Sequence, residues 1–164
     1  MKAIQTVLVA LVAAITLTSV AAAGTEAAKQ RVVIDMRIYP EKTFVLTPMQ
    51  GGSLQGDSGK ISSNWLSIRG RDVMRNGQKV TIYNGGVVKL TGKRGTLTLR
   101  DRIEWFDLAR DGNGDGEVDG IGNSSWEVVR GTGQYSGIVG KGRGGHIGLG
   151  SPWYARYEGF LTLP

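Results

Sequence analysis

Between Trp126 and Leu163 the chain reads WEVVRGTGQYSGIVGKGRGGHIGLGSPWYARYEGFLTL, short apolar strands interrupted by glycine every few residues. Glycine inside a strand pattern marks a bulge, a sharp bend or a close backbone approach, and a sheet that curls into a small barrel needs those devices at its corners. The stretch therefore reads as the closing half of an antiparallel β-barrel.

The residues before it agree. Arg31 to Ile38 and Thr43 to Leu46 are β-branched and aromatic enough for strands, divided by Tyr39-Pro40. Thr47 to Lys60 has four glycines and a proline, so it reads as a loop or broken edge strand; Ile61 to Gly70 reads as a strand, and the polar Arg71 to Gly77 as the connection after it. In Lys79 to Tyr83, Val80 and Ile82 alternate with Thr81 and Tyr83, and Asn84-Gly85-Gly86 supplies either a tight turn or a bulge. Gly92-Lys93-Arg94-Gly95 is a second turn. From Thr96 to Leu108, Leu97, Leu99, Ile103 and Trp105 share one parity while Thr96, Thr98, Arg100, Arg102 and Glu104 share the other, which gives one buried and one wet face. Helical spacing is absent beyond the N-terminal leader. About eight short strands separated by glycine turns imply a sandwich or a barrel, and the regular kinks favour the barrel.

The 164 residues suit one domain. Met1 to Ala23 pairs Lys2 with a long low-polarity run and ends in Ala21-Ala22-Ala23, the pattern of a secretory signal helix cut after Ala23. The alternative is an uncleaved anchor, since the run is nearly long enough to span a bilayer. The expected organisation is signal peptide 1–23, disordered arm 24–30 and one barrel 31–164, in a protein that is secreted or periplasmic and off the membrane once cleaved. With no cysteine, disulfides contribute nothing, and burial or a metal must stabilise the fold. The formal net charge is +6, but the basic residues are scattered among acidic ones rather than gathered with aromatics on one face, which argues against nucleic acid as a partner.

WEVVRGTGQYSGIVGKGRGG, with VVKLTGKRGTLTLR ahead of it and YEGFLTL behind it, resembles the secreted bacterial members of the allene oxide cyclase barrel-like group, related in fold to plant dirigent proteins. The resemblance covers Gln78 to Leu163. It implies an antiparallel barrel of about eight strands whose central cavity, in the family's enzymes, holds an apolar polyunsaturated or phenolic intermediate and steers its cyclisation or coupling. It carries no catalytic residue onto this chain.

The sharpest local chemistry is DGNGDGEVDG. Asp111, Asn113 and Asp115 stand at alternate positions, Gly116 permits the turn, Glu117 offers its main-chain carbonyl and Asp119 follows, as in the first nine positions of an EF-hand calcium loop. Gly122 replaces the bidentate glutamate at the twelfth position, so a structural calcium held weakly, on the order of 10⁻⁴ to 10⁻³ M, is expected. The simpler reading is a solvated hairpin loop. The glycine run Gly131 to Gly145 lacks the spacing of a phosphate cradle and reads as bent strand.

His146, the sole histidine, reads as a solvated loop residue. Glu104, Asp107, Glu127 and Glu158 could serve as acid or base only if one pointed into an apolar cavity, and their neighbours place most of them on the wet face. Trp65, Trp105, Trp126, Trp153, Tyr83, Tyr135, Tyr154 and Tyr157 either line a cavity or fill the core. The sequence thus gives two functional expectations. One is a calcium-stabilised module that binds a small apolar ligand; the other is an isomerase or cyclase acting by cavity shape. Exposed strand edges add the expectation of a homo-oligomer.

Overall fold

The computed structural model describes residues 28–49, 52–108, 111 and 119–164. The signal peptide and residues 24–27 of the arm lie outside the described residues. The strands are β1 (Lys29–Tyr39), β2 (Thr43–Pro48), β3 (Asp57–Ser63), β4 (Arg71–Arg75), β5 (Gln78–Gly92), β6 (Gly95–Asp107), β7 (Gly120–Gly131), β8 (Val139–Gly148) and β9 (Trp153–Thr162). They form one antiparallel sheet in the order β3-β2-β1-β9-β8-β7-β6-β5-β4, and β3 pairs with β5 to close it. The result is an eight-stranded barrel with β4 as an extra strand continuing along the edge of β5.

Closure depends on β5 serving two partners in turn. Its first part pairs with β4 (Val80 with Val73) and its second with β3 (Leu90 with Ile61). Between them Asn84-Gly85-Gly86 is a bulge, where the register against β6 shifts and Gly85 takes φ 76°. Arg71 to Gly77, expected to be a connection, is β4 and its turn. Asn76 and Gly77 both have positive φ, the geometry of a tight two-residue hairpin that needs little apolar content in the strand beside it. The expected strand Ile61–Gly70 ends at Ser63 and gives way to a 3₁₀ turn, Trp65–Ser67. Part of the expected loop Thr47–Lys60 is strand as well, since β3 begins at Asp57. β1 begins at Lys29, ahead of the expected end of the arm.

Cross-strand register lays the interior out in rows. One row runs Asp101, Trp126, Gly142, Gly159, Val32; the next runs Ile103, Ser124, Gly144, Tyr157, Ile34, Leu46; the third runs Trp105, Gly122, His146, Ala155, Met36, Phe44. In each row the large ring has a glycine beside it on the neighbouring strand: Trp126 beside Gly142, Tyr157 beside Gly144, Trp105 beside Gly122. A Cβ at Gly142 would meet the Trp126 ring at 2.5 Å, and one at Gly159 would meet it at 2.6 Å. These glycines leave space for rings to lie across the barrel, a cause distinct from the corner bends expected of them.

The core is Val32, Ile34, Leu46, Val88, Leu90, Leu97, Leu99 and Leu161, with Trp126 stacked on Tyr157 at 6.1 Å between centroids. One end of the barrel is tied shut by the buried Asp57, which accepts the Tyr135 hydroxyl at 2.9 Å and the backbone N–H groups of Ser58, Lys93 and Arg94 at 2.8, 3.1 and 3.2 Å. Burial opposes ionisation of Asp57, but these four donors outweigh it and hold its carboxyl below the usual range.

Candidate functional site

The opposite end of the barrel is open. There the wall is built by Ile103 and Trp105 of β6, His146 of β8, Trp153 of β9, Ile38 of β1 and Tyr83 of β5, with Trp65 and Ile68 from the segment after β3 folded over it. They enclose a cavity of about 290 Å³ whose lining residues include no acid, lysine or arginine. Trp105 and Trp153 stack at 6.0 Å on one side, and Trp65 stands edge-on to His146 at 5.3 Å. Wider hollows of about 770 and 850 Å³ lie on the outer wall among Arg31, Arg100, Glu127, Arg156 and Glu158. Open and charged, they do not enclose an apolar molecule.

Beneath the cavity sits a buried polar chain. The Tyr157 hydroxyl donates to Asp101 Oδ2 at 2.6 Å, and the Trp65 indole N–H donates to Asp101 Oδ2 and Oδ1 at 2.9 and 3.1 Å. His146 Nε2 lies 3.2 Å from the Tyr157 oxygen. Strand parity turns Asp101 and His146 inward, and strand pairing brings them to Tyr157. Asp101 shares the inward side of β6 with Leu99 and Ile103, and His146 shares the inward side of β8 with Gly142 and Gly144.

Burial sets the electrostatics. It pushes the Asp101 carboxyl up, against the hydrogen bonds from Tyr157 and Trp65 that favour the carboxylate. It drives His146 down from 6.5 to about 4, so the imidazole is neutral at physiological pH. Tyr157 is raised well above its ordinary value by burial first and by the Asp101 charge second. Ser124 Oγ lies close enough to Tyr157 to oppose that rise slightly, without a well-directed hydrogen bond of its own among the described residues. A neutral base, a phenol that keeps its proton and a carboxylate fed by two donors can relay hydrogen-bond polarity to the cavity floor.

His146 was expected in a solvated loop. It is 5% exposed, because Lys141, Arg143 and Ile147 take the outer face of β8 and leave it the inner one. Glu104, Glu127 and Glu158 lie outside, as their parity implied: Glu104 pairs with Arg75 at 2.8 Å and Arg102 at 2.7 Å, Glu127 with Arg100, and Glu158 with Arg31 and Arg156; Asp107, on the parity of Ile103 and Trp105, reaches the surface at the end of β6 and pairs with Lys79. The aromatics divide. Trp65, Trp105, Trp153, Tyr83 and Tyr154 line the cavity; Trp126, Tyr135 and Tyr157 fill the core.

Of the calcium-loop residues, Asn113, Asp115 and Glu117 lie outside the described residues. Asp111 is exposed, whereas Asp119 is buried and its carbonyl accepts the Leu108 N–H at 2.8 Å. Among the described residues no group of three or more histidine, aspartate or glutamate side chains could hold a metal. The acidic segment leaves β6 after Asp107 and returns at Gly120, where a Cβ would strike the Trp105 ring of the cavity wall, so both its ends stand at the cavity rim. No family model matches the chain, and no curated protein or solved structure matches it at a significant level.

Proposed function

We propose that this protein is a secreted or periplasmic binding module whose barrel mouth takes up one small, flat, apolar molecule. The observation that carries the reading is the cavity of about 290 Å³, walled by tryptophan, tyrosine and isoleucine and floored by a single imidazole. Ligand sites are typically apolar enclosures with a few placed polar groups, and this one sits at the small end of their range. In the same reading the acidic loop binds calcium through Asp111, Asn113, Asp115, Glu117 and Asp119 and steadies the cavity rim. The resemblance of Gln78 to Leu163 to the allene oxide cyclase and dirigent group, which implies a cavity inside the barrel, accords with this reading.

A second reading, an isomerase or cyclase of that type, draws support from the Asp101–Tyr157–His146 chain, since shape-directed cyclisation needs few polar groups beyond one that moves or holds a proton.

The test is equilibrium binding of 2-methoxynaphthalene, followed by calorimetry. The wild-type protein is expected to bind one equivalent, and Ile103→Trp, which fills the cavity, to bind none. Equal binding by both proteins would place the ligand elsewhere. Calcium is tested separately: a chelator and Asp115→Ala should each lower the melting temperature, and an unchanged curve would remove the ion from the account.

A further inference from the structure

A single phenol hydrogen orders the polar chain at the cavity floor. Tyr157 has one hydroxyl hydrogen and three polar neighbours, Asp101, His146 and the less well directed Ser124 Oγ, which can itself donate to the phenol oxygen. At 2.6 Å stands Asp101 Oδ2, which as a carboxylate oxygen can only accept, so the hydrogen points there. The indole N–H of Trp65 can only donate and also takes Asp101, which leaves that carboxylate fed from two sides. The Tyr157 oxygen therefore faces His146 Nε2, 3.2 Å away, as an acceptor, and Nε2 must carry the imidazole hydrogen.

A neutral imidazole has one N–H. Its Nδ1 is then a bare lone pair. Nδ1 makes no hydrogen bond among the described residues, and it is not sealed away from solvent-sized space as Ser124 Oγ is. His146 itself lines the cavity. We infer that His146 Nδ1 is a hydrogen-bond acceptor presented to the cavity, its tautomer fixed by Tyr157 and Asp101, and that the site selects neutral apolar molecules bearing one O–H or N–H donor.

The inference rests on the reading of the cavity as a ligand site and adds the chemical class of the ligand. Anions are disfavoured, because the floor offers a lone pair with the Asp101 charge behind it and the lining residues include no lysine or arginine. Molecules without a donor leave Nδ1 facing hydrocarbon. His146 is the group that would touch the ligand; Tyr157 and Asp101 are positioning residues acting through it.

Two measurements test this. Nitrogen-15 NMR of histidine-labelled protein at neutral pH reports which ring nitrogen carries the hydrogen, and with one histidine in the chain the assignment is unambiguous. The expected spectrum is that of the Nε2–H tautomer, and an Nδ1–H tautomer overturns the inference. In Asp101→Leu the Tyr157 hydroxyl loses its carboxylate acceptor and turns its hydrogen to Nε2, and the imidazole hydrogen should move to Nδ1; an unmoved tautomer in the folded variant removes the relay.

Calorimetry with 2-naphthol, 2-methoxynaphthalene and 2-naphthoate gives the selectivity. The naphthol should bind about five- to tenfold more tightly than the ether, as one net hydrogen bond implies, and the carboxylate should bind more weakly than the ether. Equal binding of naphthol and ether overturns the acceptor assignment while leaving the cavity a ligand site. Failure of all three to bind overturns both.

Discussion

Gly142 and Gly145 lie on the same strand and face opposite sides of the barrel wall, so adding one methyl group to each separates interior packing from strand propensity. At Gly142 the new Cβ would sit 2.5 Å from Trp126 Cζ2 and press on the Glu158 carbonyl oxygen. Neither neighbour can yield easily. Trp126 is stacked on Tyr157, its indole N–H is held by the Arg143 carbonyl at 3.2 Å, and the Glu158 oxygen is backbone. At Gly145 the nearest atom would be the Gly122 carbonyl oxygen at 3.8 Å, an ordinary contact. Overpacking costs about 1–3 kcal/mol, and a clash with backbone places Gly142→Ala near the upper end. With an unfolding entropy of about 2.1 cal/mol/K per residue over roughly 140 residues, 3 kcal/mol lowers the melting temperature by about 10 °C. Gly145→Ala should stay within about 2 °C of wild type. Thermal unfolding followed by circular dichroism measures both. If the two variants melt together, glycine on β8 is not making room for the Trp126 ring and the row packing described above is wrong.

Other expectations follow from the buried polar groups. Between pH 6.5 and about 4 the unfolded chain takes up a proton on His146 that the barrel refuses, so stability is full above the window and falls by about 3 kcal/mol as pH drops through it. Asp101, raised from 3.8, acts with the opposite sign: its contribution is present below 3.8 and is lost as pH rises through the folded value. Urea unfolding across pH 4–7 reads the sum, and His146→Gln should abolish the histidine part of the slope. At the closed end, Asp57→Ala should cost about 3 kcal/mol, since it strips a buried phenol and three backbone N–H groups of their acceptor, while Tyr135→Phe should cost about 1 kcal/mol. Equal losses in chemical denaturation would mean that the backbone contacts contribute nothing.

The barrel was legible from its glycines and alternation, although the physical role of many glycines was not. Their spacing alone does not separate a bend from a vacancy left for a ring; that requires knowing that Trp126 and Gly142, or Tyr157 and Gly144, stand opposite each other across strands. The polar chain was within reach. Asp101 lies on the same parity as Leu97, Leu99, Ile103 and Trp105, and a carboxylate on an otherwise apolar face is a signal in itself. His146 was hidden by its glycine neighbours, but the alternation of Lys141 and Arg143 with Gly140, Gly142 and Gly144 marks the outer face of β8 and puts the histidine inside. β4 was missed because Arg71 to Arg75 holds little that is apolar, and Asn76-Gly77 was the cue that outweighed composition. That Asp101, His146 and Tyr157 meet depends on the pairing of β6 with β7, β7 with β8 and β8 with β9, which no local pattern encodes.

The most direct test of the central claim, that one closed sheet buries a neutral imidazole between an apolar cavity and a tyrosine–aspartate pair, is the proton NMR titration of His146 in the folded protein. The expected result is a single resonance that does not shift on acidification until the pH nears about 4. A titration centred near 6.5 would place the ring in water and contradict the barrel interior on which the site depends.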